Sequence, residues 1–436
     1  MSFREVIALS FSLLWQWDWL ILPLASFHVA WYIWVMWRDL KMAEEEYEQF
    51  VFLRIHVPRE IESTPKSMEQ VFHSIHGMVG FVRTADKIIW RDRQPWFSIE
   101  MVGMNGSLYF IVVVEKKRRS VLEAAFYSEY PDIEIEEVED YTLTLPLDIP
   151  NEDWTMRGYD FVLGEADIWQ FKTYTDWEIE KEIEAGRKID PIAQFAEACS
   201  GLKPGEMLWI QLVISPVASN EREWMRKAQA ARREFDRRSG KGKGTGEQVM
   251  AGVDDFFRII AGQELPPDDK PEEKLRFPTT LEVLAVKALG SKLERPVFDI
   301  NFRGMYIAQR DIYSRSRHAL LRGFVRPFAD FTNNYFRFHE YTETRVTQFM
   351  HFFPETRIDI KRRRFLWYYR MRFLRQEETE FTDVMGFAFG KENLIYRLNT
   401  LELATIFHFP GREVGAPGLR RLPFKKTKAP VELPTV

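Results

Sequence analysis

The sequence predicts an α+β protein in which an N-terminal transmembrane helix precedes two tandem ferredoxin-like, or split β-α-β, domains. Three observations lead to this prediction. Residues 19–37 contain no formally charged side chain, residues 50–141 give the order β-α-β-β-α-β, and residues 155–345 repeat similar signals around an insertion at about 219–275. A chain of 436 residues that is 45% hydrophobic is long enough for two or three domain cores.

The composition limits the classes of function. The formal net charge of −5 and the sequence pI of about 6.0 provide no overall attraction to nucleic acid or to anionic lipid. This average hides an asymmetry, because residues 129–184 contain 18 acidic and 3 basic residues, whereas residues 303–375 contain 16 basic and 6 acidic ones. The two stretches are therefore expected to face each other or solvent. The single cysteine, Cys199, excludes an intrachain disulfide and fits a reducing compartment.

Residues 1–18 form a short N-terminal segment, and residues 19–37 are predicted to form a transmembrane helix. At about 1.5 Å per residue this uncharged stretch nearly crosses a hydrocarbon core of about 30 Å, and tryptophans lie near both of its ends. Basic residues are more numerous just after the stretch than before it. This bias predicts a single-pass protein of the cell membrane with the bulk of the chain in the cytoplasm. A buried or interfacial helix is the alternative, favoured by Pro23 and His28.

Residues 50–141 are predicted to form the first ferredoxin-like domain. A strand precedes a helix that starts at Pro65, because proline suits the first turn of a helix. Two apolar strands then flank Asn105 and Gly106, a strong signal for a two-residue hairpin turn. A helix that ends before Pro131 and a final alternating strand complete the order.

Residues 155–345 are predicted to form the second α+β domain. Its strand-like runs are 159–163, 168–174, 207–215, 297–308 and about 336–341, and its helical runs are 192–199, 279–292 and 311–328. The insertion at about 219–275 combines a charged helix with the flexible segment SGKGKGTGE. That segment lacks the spacing of a phosphate-binding loop, so the chain is not expected to hydrolyse ATP. His73 and His76 are three residues apart on the first predicted helix, a spacing that is able to hold a metal, but no carboxylate or thiol cluster joins them in the sequence. No metal site is therefore predicted, and no other pattern predicts a catalytic residue or a cofactor.

The most unusual stretch is KRRRFLWYYRMRFLR, residues 361–375, in which seven cations are interleaved with five aromatic residues. Such a stretch can hold phosphates with its cations and stack bases on its rings, or lie along an anionic lipid surface. The candidate nucleic-acid or lipid contacts are Lys361, Arg362, Arg363, Arg364, Trp367, Arg370, Arg372 and Arg375. The competing interpretation is a packed element whose arginines cover the acidic first half of the chain, and the spacing of its apolar residues also permits a strand.

The C-terminal part of the chain contains two further predicted regions. Residues 346–409 hold the basic aromatic stretch and a short C-terminal helix, and residues 410–436 form a basic, proline-rich tail. Because prolines restrict helix and interior-strand formation, the tail is expected to lie on a partner or on the chain's own domains.

Several segments together resemble a known family. They are the hydrophobic N-terminal helix, FLRIHVPRE with MEQVFHSIHG, FYSEYPDIEIEEVEDY, FKTYTDWE with DPIAQFAEACSGLKPGEMLWIQLVISP, and LNTLELATIFHFPG. In this order they resemble the membrane-anchored region, a domain of unknown function, that precedes the ATPase in conjugation-type, type IV secretion DNA-translocating ATPases of candidate-phyla bacteria. In that family a nucleotide-binding domain usually follows the FHFPG segment. Since this sequence ends at Val436, the resemblance implies that the motor is a separate chain.

The function expected from the sequence is therefore a non-enzymatic, membrane-anchored assembly component of a type IV secretion system. It is expected to contact a secretion-type ATPase, supplied as a separate chain, through its tail at 410–436. The alternative is a membrane-tethered nucleic-acid-binding module that uses residues 361–375. Neither hypothesis requires a cofactor.

Overall fold

One sheet of ten strands organises the part of the chain that the structure describes. The computed structural model describes residues 49–58, 64–80, 95–177, 191–217, 224–230, 280–339, 354–372, 394–411 and 421–422, together with scattered positions elsewhere. The strands are β1 (Phe50–Pro58), β2 (Phe97–Met104), β3 (Ser107–Glu115), β4 (Glu134–Val138), β5 (Trp154–Leu163), β6 (Glu206–Pro216), β7 (Val297–Gln309), β8 (Phe336–Phe338), β9 (Tyr396–Asn399) and β10 (Arg421–Leu422). The helices that accompany them are α1 (Pro65–His76), α2 (Arg119–Glu129), α3 (Pro191–Ser200), α4 (Thr280–Leu293), α5 (Ala319–Val325), α6 (Pro354–Met371) and α7 (Thr400–Ile406).

The strand order shows how the two halves of the chain are joined. The main path of the sheet is β10-β1-β3-β2-β6-β7-β5-β8, while β4 pairs with β1 and β9 pairs with β7. At the centre, β2 pairs antiparallel with β6 along its whole length, from Phe97 opposite Ile214 to Met104 opposite Met207. The backbone hydrogen bonds of the sheet therefore continue from the first half of the chain into the second.

The fold class predicted from the sequence is wrong in two respects. The two predicted ferredoxin-like domains share one large sheet, so a simple tandem pair does not describe the architecture. The physical reason is that β2 and β6 would otherwise leave two long apolar edges exposed, and pairing them satisfies the backbone groups of both.

The second correction concerns the membrane. Among the residues that the structure describes, no helix is both long enough and apolar enough to cross a membrane, which contradicts the predicted transmembrane helix at 19–37 and the predicted single-pass location with a cytoplasmic bulk. Most of residues 19–37 lie outside the described residues.

Alternate residues of the central strands divide the sheet into two faces. One face carries the main apolar core, which includes Ile99, Ile210 and Phe302 together with buried residues of α1, α2, α3, α5 and α7. On the opposite face, α6 packs closely against β5 at Gly158, where an added Cβ atom would lie 2.3 Å from Cε1 of Phe365. A glycine at this position therefore allows α6 to approach the sheet.

Two local predictions have different outcomes. The hairpin at Asn105 and Gly106 is present, and both residues have positive φ, 51° and 71°, as this turn type requires. The predicted strand at 168–174 is absent, and the chain instead begins a short helical stretch at Tyr174. Phe171, Tyr174 and Trp177 are spaced three residues apart and all enter the core, whereas in a strand residues three apart would point to opposite faces.

We expect Gly158→Ala to lower the free energy of unfolding by about 1–3 kcal/mol, because the added methyl group would overlap the Phe365 ring. Gly290→Ala in α4 is the matched control, since nothing lies within 4 Å of the Cβ position there. Alanine should leave stability unchanged or raise it by about 0.5–1 kcal/mol at that site. Urea unfolding measures both, and equal stabilities of the two variants would contradict the packing of α6 on β5.

Candidate functional site

Residues 361–371 of the basic aromatic stretch are helical and form the C-terminal part of α6. Pro354 is the first residue of α6, a position that proline tolerates because the N–H it lacks has no partner within a helix. Phe365, Leu366 and Tyr369 are buried on the side of α6 that faces the sheet. The alternative that this stretch is a strand is therefore excluded for residues 361–371.

A row of polar side chains crosses the sheet beneath α6. Glu100, Gln211, Arg303 and Asp160 lie directly opposite one another on β2, β6, β7 and β5, and we call them the charge row. All four are buried, with exposed fractions of 0–5%. Gln211 Nε2 donates to Glu100 Oε1 at 2.9 Å, Arg303 Nη1 donates to Gln211 Oε1 at 3.1 Å, and Arg303 Nε donates to Asp160 Oδ1 at 3.2 Å. Each buried polar group of the row thus has a partner in the next strand.

Arg372 connects the end of α6 to the charge row. Its guanidinium group donates to both carboxylate oxygens of Glu100, at 2.9 and 3.2 Å, and to both of Asp140, at 2.8 and 3.0 Å. It also lies over the Phe52 ring, 4.6 Å from the centroid. Such bidentate pairs are the strongest ion pairs available to side chains, and here they are removed from water.

The sheet also caps the C-terminal end of α6. The last carbonyl groups of a helix have no partner within the helix. Gln211 Nε2 donates to the carbonyl of Tyr369 at 2.9 Å, Arg303 Nη1 donates to that of Tyr368 at 3.3 Å, and Arg372 Nη1 donates to that of Arg370 at 2.7 Å. The charge row therefore determines where α6 ends.

Burial and charge change the pKa values of this cluster. Burial alone would lower the pKa of Arg372, but the carboxylates of Glu100 and Asp140 raise it well above its ordinary value. Burial raises the pKa of the Tyr141 and Tyr369 phenols, which share a hydrogen bond of 2.9 Å. At physiological pH the arginine is therefore charged and both phenols are neutral.

The structure divides the predicted contact residues between two sides of α6. Arg370 and Arg372 are buried and bonded inside the protein, Arg370 to the carbonyl groups of Thr142, Leu145 and Pro146. The outer residues are Lys361, Arg364 and Trp367, which are half-buried, and Arg363, which is exposed and whose Nη2 donates to the Pro150 carbonyl at 3.4 Å. Arg362 is half-buried and donates from Nη1 to Thr155 Oγ1 on β5 at 3.4 Å. Arg375 lies outside the described residues.

Aromatic rings accompany the outer cations. The Arg364 guanidinium lies 5.6 Å from the centroid of the Tyr368 ring, and the Trp367 and Tyr368 rings meet edge to face at 5.1 Å. Stacked cations of this kind are held in place without losing their charge. The outer side of α6 is therefore a basic surface with aromatic rings beside it.

The charge row itself was missed by the sequence analysis. Its signal is a long polar or charged side chain within each otherwise largely apolar strand: Glu100 in FSIEMVGM, Gln211 in LWIQLVI, Arg303 in INFRGMYIA and Asp160 in GYDFVL. Recognising them as one cluster requires the register between strands that lie far apart in sequence.

The metal interpretation of His73 and His76 gains no support in the described residues, which contain no group of three or more potential protein ligands. His76 Nε2 instead lies 3.1 Å from the Val217 carbonyl oxygen, and burial lowers the pKa of this imidazole.

No protein-family model matches the sequence, and a search of curated proteins finds no match.

We expect Arg372→Ala to lower the free energy of unfolding by about 3–5 kcal/mol, because Glu100 and Asp140 would keep buried charges without their partner. Arg363→Ala removes an exposed arginine whose side chain makes one long hydrogen bond, 3.4 Å to the Pro150 carbonyl, and it should lower stability by no more than about 0.5–1 kcal/mol. Chemical unfolding of the three proteins measures the difference. A loss below about 1 kcal/mol for Arg372→Ala would mean that the cluster contributes little to holding α6.

Proposed function

We propose that this protein is a non-enzymatic assembly component that holds a secretion-type ATPase. The observation that supports this most directly is the packing of the FHFPG segment, which in the resembling family leads into the ATPase. Phe409 lies in the core, with its ring centroid 5.3 Å from that of Phe110, 6.1 Å from that of Phe126 and 5.0 Å from that of Tyr130. The chain is buried up to Pro410 and becomes partly exposed at Gly411.

Because Phe409 is packed in this way, the chain leaves the core of the first half of the sheet at a fixed position, Gly411. A fixed position at Gly411 would orient a partner protein bound by the residues that follow, and an assembly component requires such an orientation. Beyond the exit, Arg421 and Leu422 of β10 pair in parallel with Val57 and Pro58 of β1. The tail therefore returns to the sheet edge at this point, and its remaining residues lie outside the described ones.

Removal of residues 412–436 should abolish co-purification of a secretion-type ATPase from the same organism, while the melting temperature of the core changes little. The second expectation follows because β10 contributes only two residue pairs to the sheet. The control is the triple variant Lys361→Gln, Arg363→Gln, Arg364→Gln, which should retain the ATPase. Full retention by the truncated protein would refute docking through the tail, and early unfolding would show that the tail belongs to the core.

A second candidate function is binding of single-stranded nucleic acid by the outer side of α6. The observation that favours it is the position of Lys361, Arg363 and Arg364 beside the partly exposed rings of Trp367 and Tyr368. Cations that contact phosphates beside rings that stack on bases are typical of such surfaces. Arg370 and Arg372 cannot take part without breaking their buried bonds, which reduces the interface predicted from the sequence.

The same triple variant tests this candidate. It should weaken binding of an oligothymidylate at least tenfold and reduce the slope of log affinity against log salt by about 2, since each lost phosphate contact contributes about 0.7. The matched control is Lys66→Gln, Lys203→Gln, Lys287→Gln, which removes three exposed cations from other elements. Equal losses in both triple variants would mean that only net charge matters and that α6 forms no specific surface.

A further inference from the structure

The two edges of the sheet carry opposite charges. Among the described strands, β4 and β10 pair with β1 at one edge, and β8 pairs with β5 at the other. Residues 129–140, which include β4, contain seven acidic residues and no basic one. Residues 315–338, which include α5 and β8, contain five basic residues and one acidic one. The charge asymmetry of the sequence is thus distributed between opposite edges of one sheet.

Two exposed arginines lie beside β8. Arg322 is on α5 and Arg326 follows one helical turn later, so the two side chains lie on the same side of this segment. The Arg322 guanidinium lies 4.9 Å from the centroid of the Phe338 ring, and that of Arg326 lies 5.0 Å from the centroid of the Phe331 ring. Neither arginine forms an ion pair with another described residue. Their charges are therefore held in place without being neutralised.

A well-ordered loop presents an exposed phenylalanine next to these arginines. Phe331 is 65% exposed. The backbone N–H of Asp330 donates to the carbonyl of Asn334 at 2.9 Å, and the buried Asn334 side chain donates to the carbonyl of Trp169 at 2.9 Å. Aromatic and arginine side chains that are held in place on a surface are enriched in protein–protein interfaces. We call Arg322, Arg326 and Phe331 the basic end of the sheet.

The ring contacts favour a protein partner over a nucleic acid at the basic end. The Phe338 ring stacks on the Tyr159 ring, with 4.2 Å between centroids, and Arg322 lies over it as well. Arg326 lies over the Phe331 ring in the same way. A base needs an open ring face on which to stack. Carboxylate groups and an apolar side chain of a protein can instead bind the arginines and Phe331 as they are placed.

The opposite edge of the same sheet offers carboxylate groups of this kind. Four exposed glutamates lie on or next to β4, and we call them the acidic end: Glu134, Glu136, Glu137 and Glu139. Glu136 and Glu137 are partly neutralised by Arg54 and Arg119. The other two glutamates form no ion pair with a described residue. The two ends are therefore complementary in charge.

We propose that the basic end of one copy of this chain docks on the acidic end of a second copy. Because the two ends lie on opposite edges of one sheet, a copy that uses one end keeps the other available, and the contact is head-to-tail. Such a contact generates rings or open chains of subunits. Opposite charges increase the rate of association, and salt weakens the attraction. This inference does not depend on the proposed ATPase partner or on the outer side of α6.

The test measures the mass of the full chain by light scattering over a range of concentrations, at about 20 mM and about 0.5 M salt. Wild type should form species larger than a dimer at low salt, and these should dissociate at high salt. The variant Arg322→Gln, Arg326→Gln removes the charges of the basic end, and the variant Glu134→Gln, Glu139→Gln removes the unpaired charges of the acidic end. Each variant alone should associate at least tenfold more weakly than wild type.

An equimolar mixture of the two variants distinguishes docking of the two ends from a general effect of charge. One variant keeps the acidic end and the other keeps the basic end, so the mixture should form a one-to-one dimer and nothing larger. The matched control is Lys66→Gln, Lys287→Gln, which removes two exposed cations from α1 and α4 and should associate as wild type does.

Three results would overturn the proposal. Wild type could remain monomeric at low salt, the two variants could associate as strongly as wild type, or the mixture could fail to form a dimer although circular dichroism shows both variants to be folded. An oligothymidylate is titrated in parallel against wild type and the arginine variant. If it binds to the basic end while wild type stays monomeric, that end is a nucleic-acid surface and the proposed self-association is wrong.

Discussion

The structure depends on the bidentate ion pairs of Arg372 with Glu100 and Asp140. Taking three charges out of water costs several kcal/mol per ion, and only good geometry with further hydrogen bonds offsets this cost. Here the guanidinium group makes four bonds to carboxylate oxygens and one to a backbone carbonyl. Such a cluster adds little net stability compared with an apolar core, but it permits only one position for the end of α6.

That position has consequences for the backbone. Arg372 has a φ of 49°, which is unusual for a residue with a long side chain and costs about 1–3 kcal/mol. The bonds of its side chain offset this cost. Because the sheet also caps the carbonyl groups of Tyr368 and Tyr369, α6 ends above the charge row. The same helix then has an inner side that is bonded to the sheet and an outer side that carries Lys361, Arg363 and Arg364.

The sequence predicted local features such as hairpin turns, but it did not predict which strands pair at the centre of the sheet. The hairpin at Asn105 and Gly106 follows from local turn chemistry, so a short stretch of sequence suffices to predict it. The pairing of β2 with β6 joins residues about a hundred positions apart, and either strand could equally have been an edge. The charge asymmetry predicted that residues 303–375 and the acidic stretch face each other or solvent, and the pairs of Arg303 with Asp160 and of Arg372 with Asp140 are contacts between the two stretches. Net charge could not show which arginines of α6 are buried, because that depends on helix phase and on the register of the sheet.

The start of β5 shows how the sheet limits pairing with other chains. Among the described residues, β8 pairs only with Phe161–Leu163, so the earlier part of β5 lies at the edge of the sheet. Charged side chains at such an edge disfavour pairing with another chain. Arg157 belongs to this part of β5, and its guanidinium lies 5.4 Å from the centroid of the Tyr159 ring, a contact that keeps the charge at the edge strand.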